Sequence, residues 1–275
     1  MEDLTGRRLV VVTGASSGIG LAAAVDLAYR GDQVVLVGRD PARLQAAAEQ
    51  VREVSGERPE LFRADFAALD DVRGLAERLR TAYDRIDVLV NNAGAIVLQP
   101  LTTVDGFELS IQANHLAPFL LSNLLADRVG RLVVTASGAH RSGRLDPDDL
   151  NAPLRRYRPM SAYGTSKQAN ILFTAEAARR WPDVGAYCFH PGVVRTRFGS
   201  DSRLVEWGMR MLPLLRSPEK GAETLVWLAH QDRSRLTDGG YYHDRRLRRP
   251  LRRAADPQLA ARLWAASAKA VGLPG

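Results

Sequence analysis

The sequence predicts one α/β domain over residues 1–275, a doubly wound (Rossmann-type) parallel sheet with helices on both faces. Three observations carry this. Compact apolar runs alternate along the chain with longer stretches of helical periodicity. The runs are continuously aliphatic or β-branched, as in strands buried on both faces, rather than alternately polar and apolar. No linker, repeat or low-complexity segment interrupts the series. The length of 275 residues fits one large domain, and a chain of this size can bury roughly 75% of its unfolded surface.

Taken in order, Arg8–Val12 is the first strand, and it runs into the turn Thr13–Gly20. A helix follows through Ile19, Ala23, Leu27 and Ala28 and stops at Gly31. Gln33–Val37 is the second strand. Asp40 then offers an N-cap carboxylate, with Pro41 at the first helical position, and the helix runs toward Val54. Strand three lies near Leu61–Phe62 and is followed by a helix over 69–83. Ile86–Val90 is strand four, closed by Asn91-Asn92-Ala93-Gly94. A long helix is predicted over 104–126, then strand five at Arg131–Thr135, a helix over 161–180 and strand six at Val184–Phe189. Helices over 218–230 and 257–271 flank a last short strand near Gly239–Tyr242.

Composition narrows the function classes. Hydrophobic residues make up 45% and charged residues 25%, which excludes wholesale disorder. The single cysteine, Cys188, cannot form an internal disulfide, and the chain start lacks a signal-peptide pattern. No apolar run approaches the ~18 residues of a membrane span. These features predict a soluble cytoplasmic protein with no membrane span. The net charge is +7, and of the 38 basic residues only Lys167, Lys220 and Lys269 are lysines. The densest basic run, Arg245 to Arg253, has no interleaved aromatics, so it reads as a solvated face rather than a nucleic-acid surface. His115, His140 and His190 have no metal-ligand spacing, and no metal is expected.

In a doubly wound sheet, ligands bind at the carboxyl ends of the strands beside the reversal in strand order. Gly14, Ser16, Ser17, Gly18, Ile19 and Gly20 occupy that place, between strand and helix. Glycines there allow a tight turn and close backbone approach to a pyrophosphate, and the helix N-terminus attracts its charge. The spacing is G-x-x-x-G-x-G, and no Gly-Lys-Ser/Thr follows, so the turn is not a nucleotide triphosphate loop. Strand two ends at Gly38-Arg39-Asp40. A missing carboxylate at Gly38, followed by Arg39, suits the 2′-phosphate of NADP(H). In the alternative, Asp40 takes the ribose of NAD(H).

Tyr163 and Lys167 stand four residues apart at the start of a helix, so both project from one face. A tyrosine with a pKa near 10 is a poor base, and a neighbouring cation would lower that value. Tuned in this way, the phenol could exchange a proton with a carbonyl or alcohol. Ser137, just past strand five, could polarise the carbonyl. A hydrolase nucleophile would need G-x-S-x-G, but Thr135 occupies the first glycine position. Asn114, amid apolar neighbours, could bind a relay water beside Lys167. Asn91, Ala93 and Gly94 close strand four, next to where the glycine turn must lie.

Together, Thr13–Gly20, Asp65, Asn91–Gly94, Asn114, Ser137, Tyr163/Lys167 and Pro191-Gly192 resemble the short-chain dehydrogenase/reductase family over nearly the full chain. Asn114-His115-Leu116, Ala162-Tyr163, Ser166-Lys167 with Ala169-Asn170, and His190–Thr196 are most similar to its retinol-dehydrogenase-like carbonyl reductase branch. The resemblance implies that Ser137 polarises the substrate carbonyl and that Tyr163 is the acid/base. It further implies that Lys167 binds the nicotinamide ribose and lowers the tyrosine pKa, while Asn114 holds a relay water. Asp65 would lie at the adenine and Asn91 near the adenosine ribose. Pro191, Gly192, Val194 and Thr196 would also line the cofactor, with Thr196 at the carboxamide. A substrate lid is expected over 197–216, including Trp207, Met209 and Met211. The departures are a single serine in Thr135-Ala136-Ser137-Gly138, where relatives pair two, and a short connection at Asp127–Gly130.

The expected protein is therefore an oxidoreductase that interconverts a small-molecule ketone or aldehyde with an alcohol, using NADP (or NAD), as a homo-oligomer or a monomer. A non-catalytic NADPH sensor or scaffold on the same fold is the competing expectation. An epimerase or dehydratase of nucleotide-sugars would need a longer C-terminal substrate domain and a different glycine spacing.

Overall fold

The computed structural model describes residues 6–194 and 215–274. Eight strands form one sheet: β1 (Leu9–Thr13), β2 (Gln33–Gly38), β3 (Glu60–Arg63), β4 (Val88–Asn91), β5 (Arg131–Thr135), β6 (Gly185–His190), β7 (Tyr241–His243) and β8 (Arg246–Arg248). Their order is β3-β2-β1-β4-β5-β6-β7-β8, and every neighbouring pair is parallel except the antiparallel β7–β8. The order reverses between β1 and β4, which opens a crevice at their carboxyl ends.

Strand side chains alternate between the two faces, and each face has its own apolar core. Val10, Val12, Val34, Leu36 and Val133 pack under α1 (Gly18–Tyr29), α2 (Pro41–Ser55) and the helix Pro218–His230. Val11, Val35, Leu89, Leu132 and Val134 pack under α3 (Leu69–Ala82), the segment Leu109–Leu125 and the helix Pro159–Arg180. The predicted continuous apolar runs follow from this two-sided burial.

Three boundaries differ from the sequence expectation for identifiable reasons. The helix expected from 104 starts as α4 (Leu109–Ile111). Gly106 turns the chain at φ 84°, and the buried Glu108 carboxylate then caps the amides of Ser110 and Ile111. Between α4 and α5 (Ala117–Leu125) lies a π-helical turn, Gln112–Leu116, which carries Asn114. After α6 (Ala152–Arg155), α7 (Pro159–Arg180) and α8 (Pro218–His230), the arginine run read as a solvated face contains β8. Asp244 and Arg245, with φ 51° and 58°, form a two-residue turn of the kind that matches hairpin twist.

The last helix, α9 (Pro257–Ala270), is locked to the core by aromatics. Trp264 lies 5.0 Å from Phe119 and 5.2 Å from Trp181, centroid to centroid, with Arg180 over its ring at 4.8 Å. Among the described residues, no helix is long and apolar enough to cross a membrane.

Candidate active site

The turn after β1 is shaped by contacts that only glycine permits. A Cβ on Gly20 would lie 2.3 Å from the Gly14 carbonyl oxygen, and one on Gly14, at φ 66°, would lie 2.8 Å from Ala93 Cα. The turn therefore lies flat against the end of β4. Ser17 occupies the N-cap of α1 with extended backbone and makes no side-chain cap bond, and no acidic residue stands in the first turn. The helix N-terminus thus presents free N–H donors and the positive end of its dipole to the crevice, the arrangement a pyrophosphate requires.

Gly14, Ser16, Ser17, Gly18 and Ile19 line one side of this cleft. Gly38, Arg39 and Asp65 line its far end, and Asn92, Ala93 and Gly94 its floor. A dinucleotide fits this set of residues: a glycine cradle with helix donors at one side, and a guanidinium at the end of β2. Arg39 is 73% exposed and sits 3.9 Å from the Asp65 carboxylate. Asp40 instead caps α2, its Oδ1 accepting from the Arg43 amide at 3.1 Å.

The adjacent asparagines at the end of β4 divide their work by strand alternation. Asn91 points to the same face as Leu89, where its Nδ2 donates to Ser122 Oγ at 2.7 Å. Asn92 points to the crevice. Its Nδ2 donates to the Thr13 carbonyl at 3.1 Å, and its Oδ1 accepts from Thr135 Oγ1 at 3.3 Å. Asn92, which the sequence reading did not single out, thus ties together the ends of β1, β4 and β5. The expected adenosine neighbour, Asn91, has its amide turned into the α5 interface.

Beyond β5, Ser137 is an extended residue that caps a 3₁₀ turn (Gly138–Ser142), its Oγ accepting from the Ala139 amide at 3.2 Å. The hydroxyl is near enough to the Tyr163 phenol to favour its ionised form, so the predicted pair does meet. Lys167, one helical turn on, extends toward the end of β5. There its Nζ donates to the Thr135 carbonyl at 3.0 Å and lies 5.5 Å from the Tyr163 ring centroid. Asn170, also unpredicted as a contributor, donates to the same carbonyl at 3.1 Å. A Cβ on Gly94 would fall 3.5 Å from Lys167 Nζ, so the cleft floor reaches this cluster.

Burial dominates the electrostatics of the pair. Burial pushes the Tyr163 phenol up to about 12, only partly offset by the nearby Ser137 hydroxyl, and pulls Lys167 down to about 7. Lys167 spends its proton on the Thr135 carbonyl rather than on the phenol, so desolvation outweighs the expected acidification. Tyr163 is held protonated at neutral pH, the state of a proton donor.

Asn114 is tied into the frame around this cluster. Its Oδ1 accepts from the Ala95 amide at 2.8 Å, and its Nδ2 donates to the Ala95 carbonyl and to Ser166 Oγ, both at 3.0 Å. Both N–H donors are therefore used within the protein, and the side chain latches the β4 loop to α7.

Pro191, Gly192 and Val194 follow β6. A Cβ on Gly221 would touch both Val194, at 2.7 Å, and Ile19, at 3.2 Å, which puts Val194 beside the glycine turn. Thr196 and the expected lid, with Trp207, Met209 and Met211, lie outside the described residues except for Leu215 and Arg216. Arg216 pairs with Val194 by a parallel bridge, and its guanidinium binds Asp244 at 2.5 Å.

Comparison with known proteins agrees with this geometry. Residues 8–207 match the model of the short chain dehydrogenase family. The chain is 55% identical over 96% of its length to the provisionally named daunorubicin C-13 ketoreductase DnrU of Streptomyces sp. (strain C5), covering 93% of that protein. It is 37% identical to human retinol dehydrogenase 13, over 97% of this chain and 85% of the relative. Among solved structures, a short chain dehydrogenase from Shigella flexneri 2a str. 301 complexed with NADP superposes with a TM-score of 0.65 at 27% identity, over 88% of this chain and 98% of the other. The chain belongs to the short chain dehydrogenase family, in its retinol-dehydrogenase-like branch, and is an NAD(P)-dependent oxidoreductase.

Proposed function

We propose that this protein reduces a ketone or aldehyde to an alcohol at the expense of NADPH, with Tyr163 delivering the proton. The observation that carries the reading is the buried Tyr163, with Lys167 Nζ 5.5 Å from its ring and next to Gly94 of the cleft floor. The dinucleotide, when bound, supplies the hydride.

The protein's own residues do the rest. The Ser137 hydroxyl donates to the substrate oxygen and polarises the carbonyl. Tyr163 donates its proton to the oxygen as negative charge builds there, a favourable transfer because a phenol is a stronger acid than an alcohol. The tyrosinate left behind faces Lys167, and its charge favours the ammonium form of a group otherwise poised near 7. Asn114, through Ser166 and Ala95, keeps α7 and the β4 loop in register while this occurs.

Arg39 at the far end of the cleft, with Asp40 committed to capping α2, supports NADP(H) over NAD(H). The NADP complex of the Shigella structure supports the same preference. The DnrU name supports a ketone as the reducible group. The buried thiol of Cys188 suits a reducing, cytoplasmic setting.

The test is a panel of daunorubicin, aryl ketones and p-nitrobenzaldehyde with purified protein, followed by loss of NADPH absorbance. Turnover with higher kcat/KM for NADPH than for NADH is expected. Tight NADPH binding with no turnover across the panel would overturn the reading in favour of a sensor.

A further inference from the structure

We propose that His140 is a positioning residue for Ser137, a neutral Nδ1–H imidazole that braces the Ser137 backbone against the C-terminal segment. The inference rests on the reading of Ser137 as the residue that polarises the substrate.

His140 is 2% exposed and stands three residues after Ser137 on the 3₁₀ turn. Its Nδ1 lies 2.7 Å from the Ser137 carbonyl oxygen, which can only accept. Its Nε2 lies 3.3 Å from the Leu251 amide nitrogen, which can only donate. The two partners together dictate one form of the ring, with the proton on Nδ1 and a bare Nε2. The His140 amide also donates to the Ser137 carbonyl, at 3.1 Å, so one residue holds that oxygen from two directions.

The far end of the brace is a strap. After β8 the chain crosses the turn that carries Ser137, and Arg253 donates to the Leu145 carbonyl at 2.6 Å. The strap gives the arginine-rich segment a task beyond solvation: it buttresses the site.

The groups facing His140 are Arg141 on its own turn, His190 on β6 and Tyr241 on β7, whose ring meets it edge-on at 5.4 Å. Burial, and then Arg141, oppose a positive charge on the ring. Protonation of Nε2 would set two donors against each other at Leu251 and break the brace.

Three variants separate the roles of the two nitrogens. His140→Asn keeps a donor near Nδ1, His140→Gln keeps an acceptor near Nε2, and His140→Phe keeps neither. With the best carbonyl of the panel, kcat should fall about threefold to fivefold for His140→Asn, which loses only the Leu251 end of the brace. It should fall at least tenfold for His140→Gln and His140→Phe, with NADPH affinity unchanged in all three. Two-bond proton–nitrogen NMR of histidine-labelled native protein should show one ring, absent in His140→Asn, as the neutral Nδ1–H tautomer at pH 7. Native kcat in His140→Phe, equal effects of Asn and Gln, or an Nε2–H tautomer would each overturn the proposal. Ser137→Ala separates the premise: native turnover there defeats the reading of Ser137 and leaves the tautomer result standing.

Discussion

Lys167 offers a test in which function and stability pull apart. Burial holds its ammonium down to about 7 from an ordinary 10.5. In the unfolded chain the amine keeps its proton up to 10.5, so between those limits folding expels a proton, and the folded state becomes less costly as pH rises. At about 1.4 kcal/mol per pH unit, the penalty is roughly 5 kcal/mol below pH 7, about 4 at pH 7 and about 2 at pH 9. Lys167→Met removes it. The variant forfeits a hydrogen bond worth about 1 kcal/mol, but the Thr135 carbonyl keeps Asn170 as donor. The variant should therefore be more stable than the native protein by about 3 kcal/mol at pH 7 and about 1 at pH 9, while losing turnover. Urea unfolding of both proteins at the two pH values, with equal slopes, reads this directly. A gap that fails to narrow between pH 7 and pH 9, or a variant less stable at both, would refute the reasoning.

Gly20→Ala should lower NADPH affinity at least tenfold and cost about 1–3 kcal/mol of stability, because its Cβ would meet the Gly14 carbonyl at 2.3 Å, where no side chain can yield. Fluorescence titration and thermal melts check this. Arg39→Ala should raise KM for NADPH about tenfold or more, the loss of a charge-assisted bond of about 1.5–3 kcal/mol, and leave KM for NADH unchanged. Equal losses with both cofactors would place the phosphate elsewhere.

Much of the fold was legible because two-sided burial forces continuous apolar strands, and because Asp40-Pro41 and Gly31 punctuate helices locally. β8 was not, since Arg246-Leu247-Arg248 becomes a strand only by pairing with β7, and its composition carries no period that announces it. The Tyr163/Lys167 spacing identified two residues that do lie together, but it carried no sign of how deeply both are buried. Desolvation is set by what the fold packs around a side chain, and four residues of spacing say nothing of that. Asn91 and Asn92 are indistinguishable as letters; only the phase of β4 decides which one faces the cleft. The alternation begun at Leu89 was the available signal. His140 was read as one of several unremarkable histidines because both of its partners are backbone groups, one of them more than a hundred residues away.

The proton-donor role is tested most directly by Tyr163→Phe, which removes one oxygen and keeps the ring against Lys167. NADPH titration should give an affinity within twofold of native, since the glycine cradle is untouched. Carbonyl reduction should fall by about 10²–10⁴. A folded Tyr163→Phe protein that binds NADPH and still reduces its carbonyl at the native rate would contradict the account.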